Sequence, residues 1–70
     1  MSDPLLVTLN GAPRELPRGA TITDAVGAVT GHVRGVAVAV NGEVVPRGQW
    51  PATALAAGDR VEVLTAAQGG

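Results

Sequence analysis

The chain has 70 residues, with six acidic residues against five arginines, no lysine, and a formal net charge of −1. It has no cysteine, which excludes disulfides, thiolate nucleophiles and cysteine-ligated zinc. Arg14, Arg18, Arg34, Arg47 and Arg60 are scattered and Trp50 is the one aromatic ring, so there is neither a basic stripe nor a stacking platform for nucleic acid.

Leu5–Leu9 reads as the first strand, because Leu5, Val7 and Leu9 fall on one face by the two-residue period. Asn10-Gly11 is a strong tight-hairpin signal, since both positions of the favoured two-residue turn need positive φ. Ala12–Leu16 returns as a second strand, and Pro13, lacking an N–H, predicts an edge position for it. After the turn Pro17-Arg18-Gly19-Ala20, Thr21 stands three residues before Asp24, a capping box with Asp in place of Glu. Ile22, Val26 and Val29, with Ala25 beside them, predict a helix over Ile22–Val29 that covers a sheet, with Gly31 as its stop. Gly35–Val40 is the clearest strand: Val36, Val38 and Val40 should face the helix, and Ala37 and Ala39 the other surface. Asn41-Gly42 is a second tight turn, leading to the short strand Glu43–Val45. Pro46-Arg47-Gly48 breaks that strand, and residues 49–57 are expected to be compact and irregular, with a short helical turn anchored by Trp50 and Leu55. A turn at Ala57-Gly58-Asp59 starts the last strand, Arg60–Thr65. There Val61 and Val63 share one face, and Arg60, Glu62 and Leu64 the other.

A hairpin, a helix, a second short hairpin and a final strand make an α+β chain with the element order of a β-grasp, or ubiquitin-like, fold. A mixed sheet of four to five strands is expected, with one main helix across one face. The parallel pairing of the first and last strands comes from that fold and not from periodicity. Residues 1–65 form the expected single domain and residues 66–70 an expected flexible tail. A domain this small buries only about 60% of its unfolded surface and relies on aliphatic packing. No apolar run approaches membrane-spanning length and no signal peptide is evident, so a soluble cytoplasmic protein is expected.

Ala66-Ala67-Gln68-Gly69-Gly70 carries no bulky side chain. Two glycines without Cβ can thread a narrow channel and adopt backbone angles closed to other residues. The carboxylate beyond them is a poor electrophile, but adenylation would turn it into a mixed anhydride open to a nucleophile. The expectation is a protein whose own terminus is the reactive group, with Gly70 as the modified residue and Gly69, Gln68 and Ala67 as the inserted tail. The bland alternative is a frayed end of small residues. Without lysine, an activated terminus meets no ε-amine on its own chain.

Val40-Asn41-Gly42-Glu43-Val44-Val45-Pro46-Arg47-Gly48-Gln49-Trp50 resembles the central signature of the bacterial thiamine-pathway sulfur carriers, the ThiS family. Ala54-Leu55-Ala56-Ala57-Gly58-Asp59-Arg60-Val61-Glu62-Val63-Leu64, followed by Gly69-Gly70, resembles that family's closing segment, and Leu9-Asn10-Gly11 its opening hairpin. The resemblance runs from about Leu5 to Gly70, and it is carried by the order and spacing of motifs that are individually common. It implies a protein cosubstrate rather than an enzyme, monomeric when alone, with no bound cofactor. A ubiquitin-activating-like adenylyltransferase would use ATP-Mg to activate Gly70. A cysteine desulfurase or sulfurtransferase would convert it to a thiocarboxylate, placing a covalent sulfur at Gly70. Thiazole synthase would then take that sulfur for the thiazole ring of thiamine.

The residues themselves agree with a carrier: one His, no Cys, and no paired carboxylates at acid–base spacing. No catalytic residue and no metal ligand is assigned, and His32 alone makes no metal site. Leu64, Ala37 and Ala39, with Arg60 and Glu62, form a candidate partner surface on the face away from the helix. Trp50 is either a partner contact or a packing anchor, and packing is the favoured reading. Other readings stay open: the small subunit of molybdopterin synthase, a carrier for cysteine or thiolated-tRNA synthesis, or a non-covalent TGS-type binding module.

Overall fold

The computed structural model describes residues 3–31 and 34–65. His32 and the tail residues Ala66, Ala67, Gln68, Gly69 and Gly70 lie outside them. Strand β1 (Leu5–Leu9) and β2 (Ala12–Leu16) precede helix α1 (Ile22–Val29), and β3 (Val36–Val40), β4 (Glu43–Val45), a 3₁₀ segment (Arg47–Ala52) and β5 (Arg60–Thr65) follow it. The strands form one five-stranded sheet in the order β2-β1-β5-β3-β4. β1 and β5 run parallel, and all other neighbours are antiparallel. This is the β-grasp arrangement, with the last strand at the centre of the sheet.

Both Asn-Gly pairs close two-residue hairpins. Asn10 has φ 51° and Gly11 83°, and Asn41 has φ 53° and Gly42 86°. Asn is among the few residues with a Cβ that tolerate this left-handed region, and the turn's twist matches that of the strands it joins. The turns fix the register: Leu9 lies opposite Ala12, and Val40 opposite Glu43. β2 is an edge strand, as Pro13 requires. β3 begins at Val36 rather than Gly35, because Gly35 has φ 67° and lies off the strand conformation.

The helix starts where the sequence places it. The Asp24 carboxylate accepts the Thr21 backbone N–H at 2.8 Å, which satisfies a donor at the helix start. Ile22, Ala25 and Val26 turn inward. Val29 completes the stripe by spacing yet is exposed at the last position of the helix, and Ala28 packs against the core instead. One core joins α1 to the concealed face of the sheet: Val7, Leu9, Leu16, Val38, Val61 and Val63 from the strands, with Trp50 and Leu55 from the connecting segment. That segment is tied to the helix start, with Ile22 N–H donating to Thr53 O and Leu55 N–H to Ala20 O. The single ring, Trp50, is 2% exposed and donates Nε1–H to Val45 O at 2.9 Å. It is therefore a packing anchor whose one polar atom is satisfied.

Candidate functional site

Among the described residues, none of the buried ones is polar or charged, and no group of three His, Cys, Asp or Glu is placed to hold a metal ion. No described helix is long and apolar enough to cross a membrane. Two features of β5 remain: the face it turns away from the helix, and its exit toward the terminus.

The alternation of β5 puts Val61 and Val63 in the core and leaves Arg60, Glu62 and Leu64 exposed on the open face. Register then decides which neighbours join them. Leu64 lies opposite Ala37, and Glu62 opposite Ala39. On the far side of β3, Ala39 lies opposite Val44. Toward the other edge, Arg60 lies opposite Thr8 of β1. All five residues assigned to the surface from sequence thus share the open face, with Ala37 exposed and Ala39 half-buried. The small alanines leave Leu64 standing clear, at 67% exposure.

Two residues were missing from that set. Val44 is 76% exposed and Leu6 52%, both on the same open face. The signal for each was present in the chain. A two-residue turn at Asn41-Gly42 forces Ala39 to pair with Val44, and inward Leu5, Val7 and Leu9 force Leu6 outward. Leu6, Leu64 and Val44 are thus exposed on one face, with Arg60 and Glu62 beside them.

The exit of β5 is held from both sides. β3 pairs with Leu64 and Thr65 through Ala37 and Val36. On the β1 side the Asn10 side chain reaches Val63, accepting its N–H at 2.8 Å and donating to its carbonyl at 3.1 Å. At the start of β5, Asn41 accepts the Arg60 N–H at 2.9 Å and donates to Asp59 Oδ1 at 2.9 Å. The central strand is therefore fixed up to Thr65, five residues short of Gly70. Gly70, Gly69, Gln68 and Ala67 themselves fall outside the described residues.

Comparison with known proteins agrees with this architecture. The model of the ThiS family matches residues 7–70. Among solved structures, the thiamine biosynthesis protein ThiS from Geobacter metallireducens aligns with a TM-score of 0.76 and 31% sequence identity, over 87% of this chain and 93% of that one. No curated protein sequence matches.

Proposed function

Because the chain belongs to the ThiS family, we propose that it is a sulfur carrier of thiamine biosynthesis, a cosubstrate that other enzymes act on. In this reading an adenylyltransferase spends ATP to join AMP to the Gly70 carboxylate and releases pyrophosphate. A persulfide sulfur from a desulfurase or sulfurtransferase attacks the acyl carbon and expels AMP. Reductive cleavage of the resulting acyl disulfide by a thiol leaves the thiocarboxylate. Thiazole synthase takes the sulfur from that group.

The observation that carries the proposal is the extent of the family match, which runs through the diglycine to residue 70. The fold supports it physically. Among the described residues the buried ones are all apolar, and the central strand is followed in the sequence by a segment of small residues. On the open face, Leu64, Ala37 and Ala39 with Arg60 and Glu62 dock the enzymes, and Val44 and Leu6 extend that surface. Gln68 and Ala67 with Gly69 enter the channel, where the lack of Cβ at Gly69 and Gly70 lets the backbone approach the nucleotide closely.

Deletion of Gly70 tests the proposal. Thermal unfolding followed by Trp50 fluorescence should match that of the intact chain, and sulfur transfer to thiazole synthase should be lost. Transfer retained by the shortened chain contradicts the mechanism. Delivery of the sulfur to a molybdopterin-type acceptor but not to thiazole synthase would instead reassign the pathway.

A further inference from the structure

The backbone ladder between β1 and β5 is short. Thr8 lies opposite Arg60 and Leu9 opposite Val61, after which β1 turns away into its hairpin. Thr8 N–H donates to Asp59 O and Asn10 N–H to Val61 O, each at 2.9 Å. Val63 is the next residue of β5 whose N–H and carbonyl face that side, and no backbone of β1 remains to meet them. The Asn10 carboxamide does so instead, with Oδ1 on the Val63 N–H at 2.8 Å and Nδ2 on the Val63 carbonyl at 3.1 Å. A carboxamide presents the same donor and acceptor as a peptide group, so one side chain adds a rung to the ladder after the strand has ended.

Asn41 grips the other end of the same strand. Its N–H donates to Arg60 O at 2.7 Å, and its Oδ1 accepts the Arg60 N–H at 2.9 Å. Each hairpin flanking β5 thus supplies a turn asparagine to it, one at the start and one at the exit. The turns alone do not demand this. Both asparagines sit at positive φ, where glycine is equally at home, and glycine has no amide to offer.

We infer that the Asn10 side chain is the latch that fixes where β5 leaves the globule, and that it is thereby a positioning residue for the tail. The positioning role rests on the sulfur-carrier reading; the latch does not. An enzyme that docks the open face while taking the tail into its channel needs the two in fixed relation. Without the latch, β5 is held beyond Val61 by β3 alone, which adds slack between face and tail, and restoring order on binding costs affinity. The chemistry at Gly70 is unchanged once the tail is seated, so the effect belongs in KM for the chain and not in kcat.

Asn10→Gly removes the amide and keeps the turn, and Asn41→Gly does the same at the opposite end. Each is read by amide hydrogen exchange on the free chain and by ATP–pyrophosphate exchange with the adenylating enzyme. Asn10→Gly should speed exchange at Val63 roughly tenfold or more and raise KM several-fold, with kcat within about twofold. Asn41→Gly should speed exchange at Arg60 and leave Val63 and KM near wild type. Asn10→Asp keeps the acceptor for the Val63 N–H, loses the donor, and should fall between. It also serves if the glycine variant fails to fold, because Asp tolerates the same φ. Wild-type exchange at Val63 in Asn10→Gly overturns the latch. Faster exchange at Val63 with an unchanged KM overturns the positioning role. A wild-type chain that the adenylating enzyme ignores overturns the carrier reading and the positioning role with it, while exchange at Val63 still decides the latch.

Discussion

At the scale of single residues, Trp50 and Leu64 separate stability from function. Trp50 is the largest side chain in the core and its Nε1–H satisfies the Val45 carbonyl. Trp50→Ala should cost about 3–5 kcal/mol. A domain of this length holds only about 4–10 kcal/mol in total, so the variant should be largely unfolded on warming. Trp50→Phe should cost about 1–3 kcal/mol, mostly from the orphaned Val45 carbonyl. Urea unfolding followed by far-UV circular dichroism checks both. Leu64→Asp is the opposite case: its side chain is exposed, so stability should move by less than about 0.5 kcal/mol. Binding to the adenylating enzyme should nevertheless weaken tenfold or more, measured by calorimetric titration. These two residues also mark how far the sequence reads. Leu64 was legible because β5 alternates cleanly. For Trp50 the favoured reading, a packing anchor, is the one the structure shows, but the 3₁₀ segment around it has no period that tells inside from outside.

At the scale of elements, the strands, hairpins and helix were legible because each is specified locally. Alternating Val and Ala set β3, the two Asn-Gly pairs set the turns, and Thr21 with Asp24 set the helix start. What local pattern does not carry is non-local. The parallel pairing of β1 with β5 has no turn to announce it, and the bond from Asn10 to Val63 spans 53 positions of sequence. Surface residues fixed by register, such as Val44, followed from the hairpin only once its two-residue turn was applied to the partner strand. The elements carry their own prediction through glycine. Gly27 lies inside α1, and a Cβ there would meet nothing within 4 Å. Gly27→Ala should stabilise the fold by about 0.5–1 kcal/mol, raising Tm by about 2–8 °C. Gly42 also has open space around it, but its φ is 86°. Gly42→Ala should therefore destabilise, by about 1–2 kcal/mol. Differential scanning calorimetry of the pair decides whether backbone conformation, rather than space, governs these sites.

At the scale of the whole molecule, the arrangement is a division of labour. Among the described residues, an apolar core supplies stability, an open face carries exposed Leu64, Val44 and Leu6, and the central strand is the last element before the terminal segment of the sequence. The central claim is that the body exists to present the Gly70 carboxylate to other catalysts. Its most direct test is the intact mass of the chain after incubation with ATP-Mg, the adenylating enzyme and a persulfide donor, followed by fragmentation to locate any change. The account predicts a gain equal to one oxygen exchanged for one sulfur, confined to Gly70. An unchanged mass, or a sulfur found on any other residue, contradicts it.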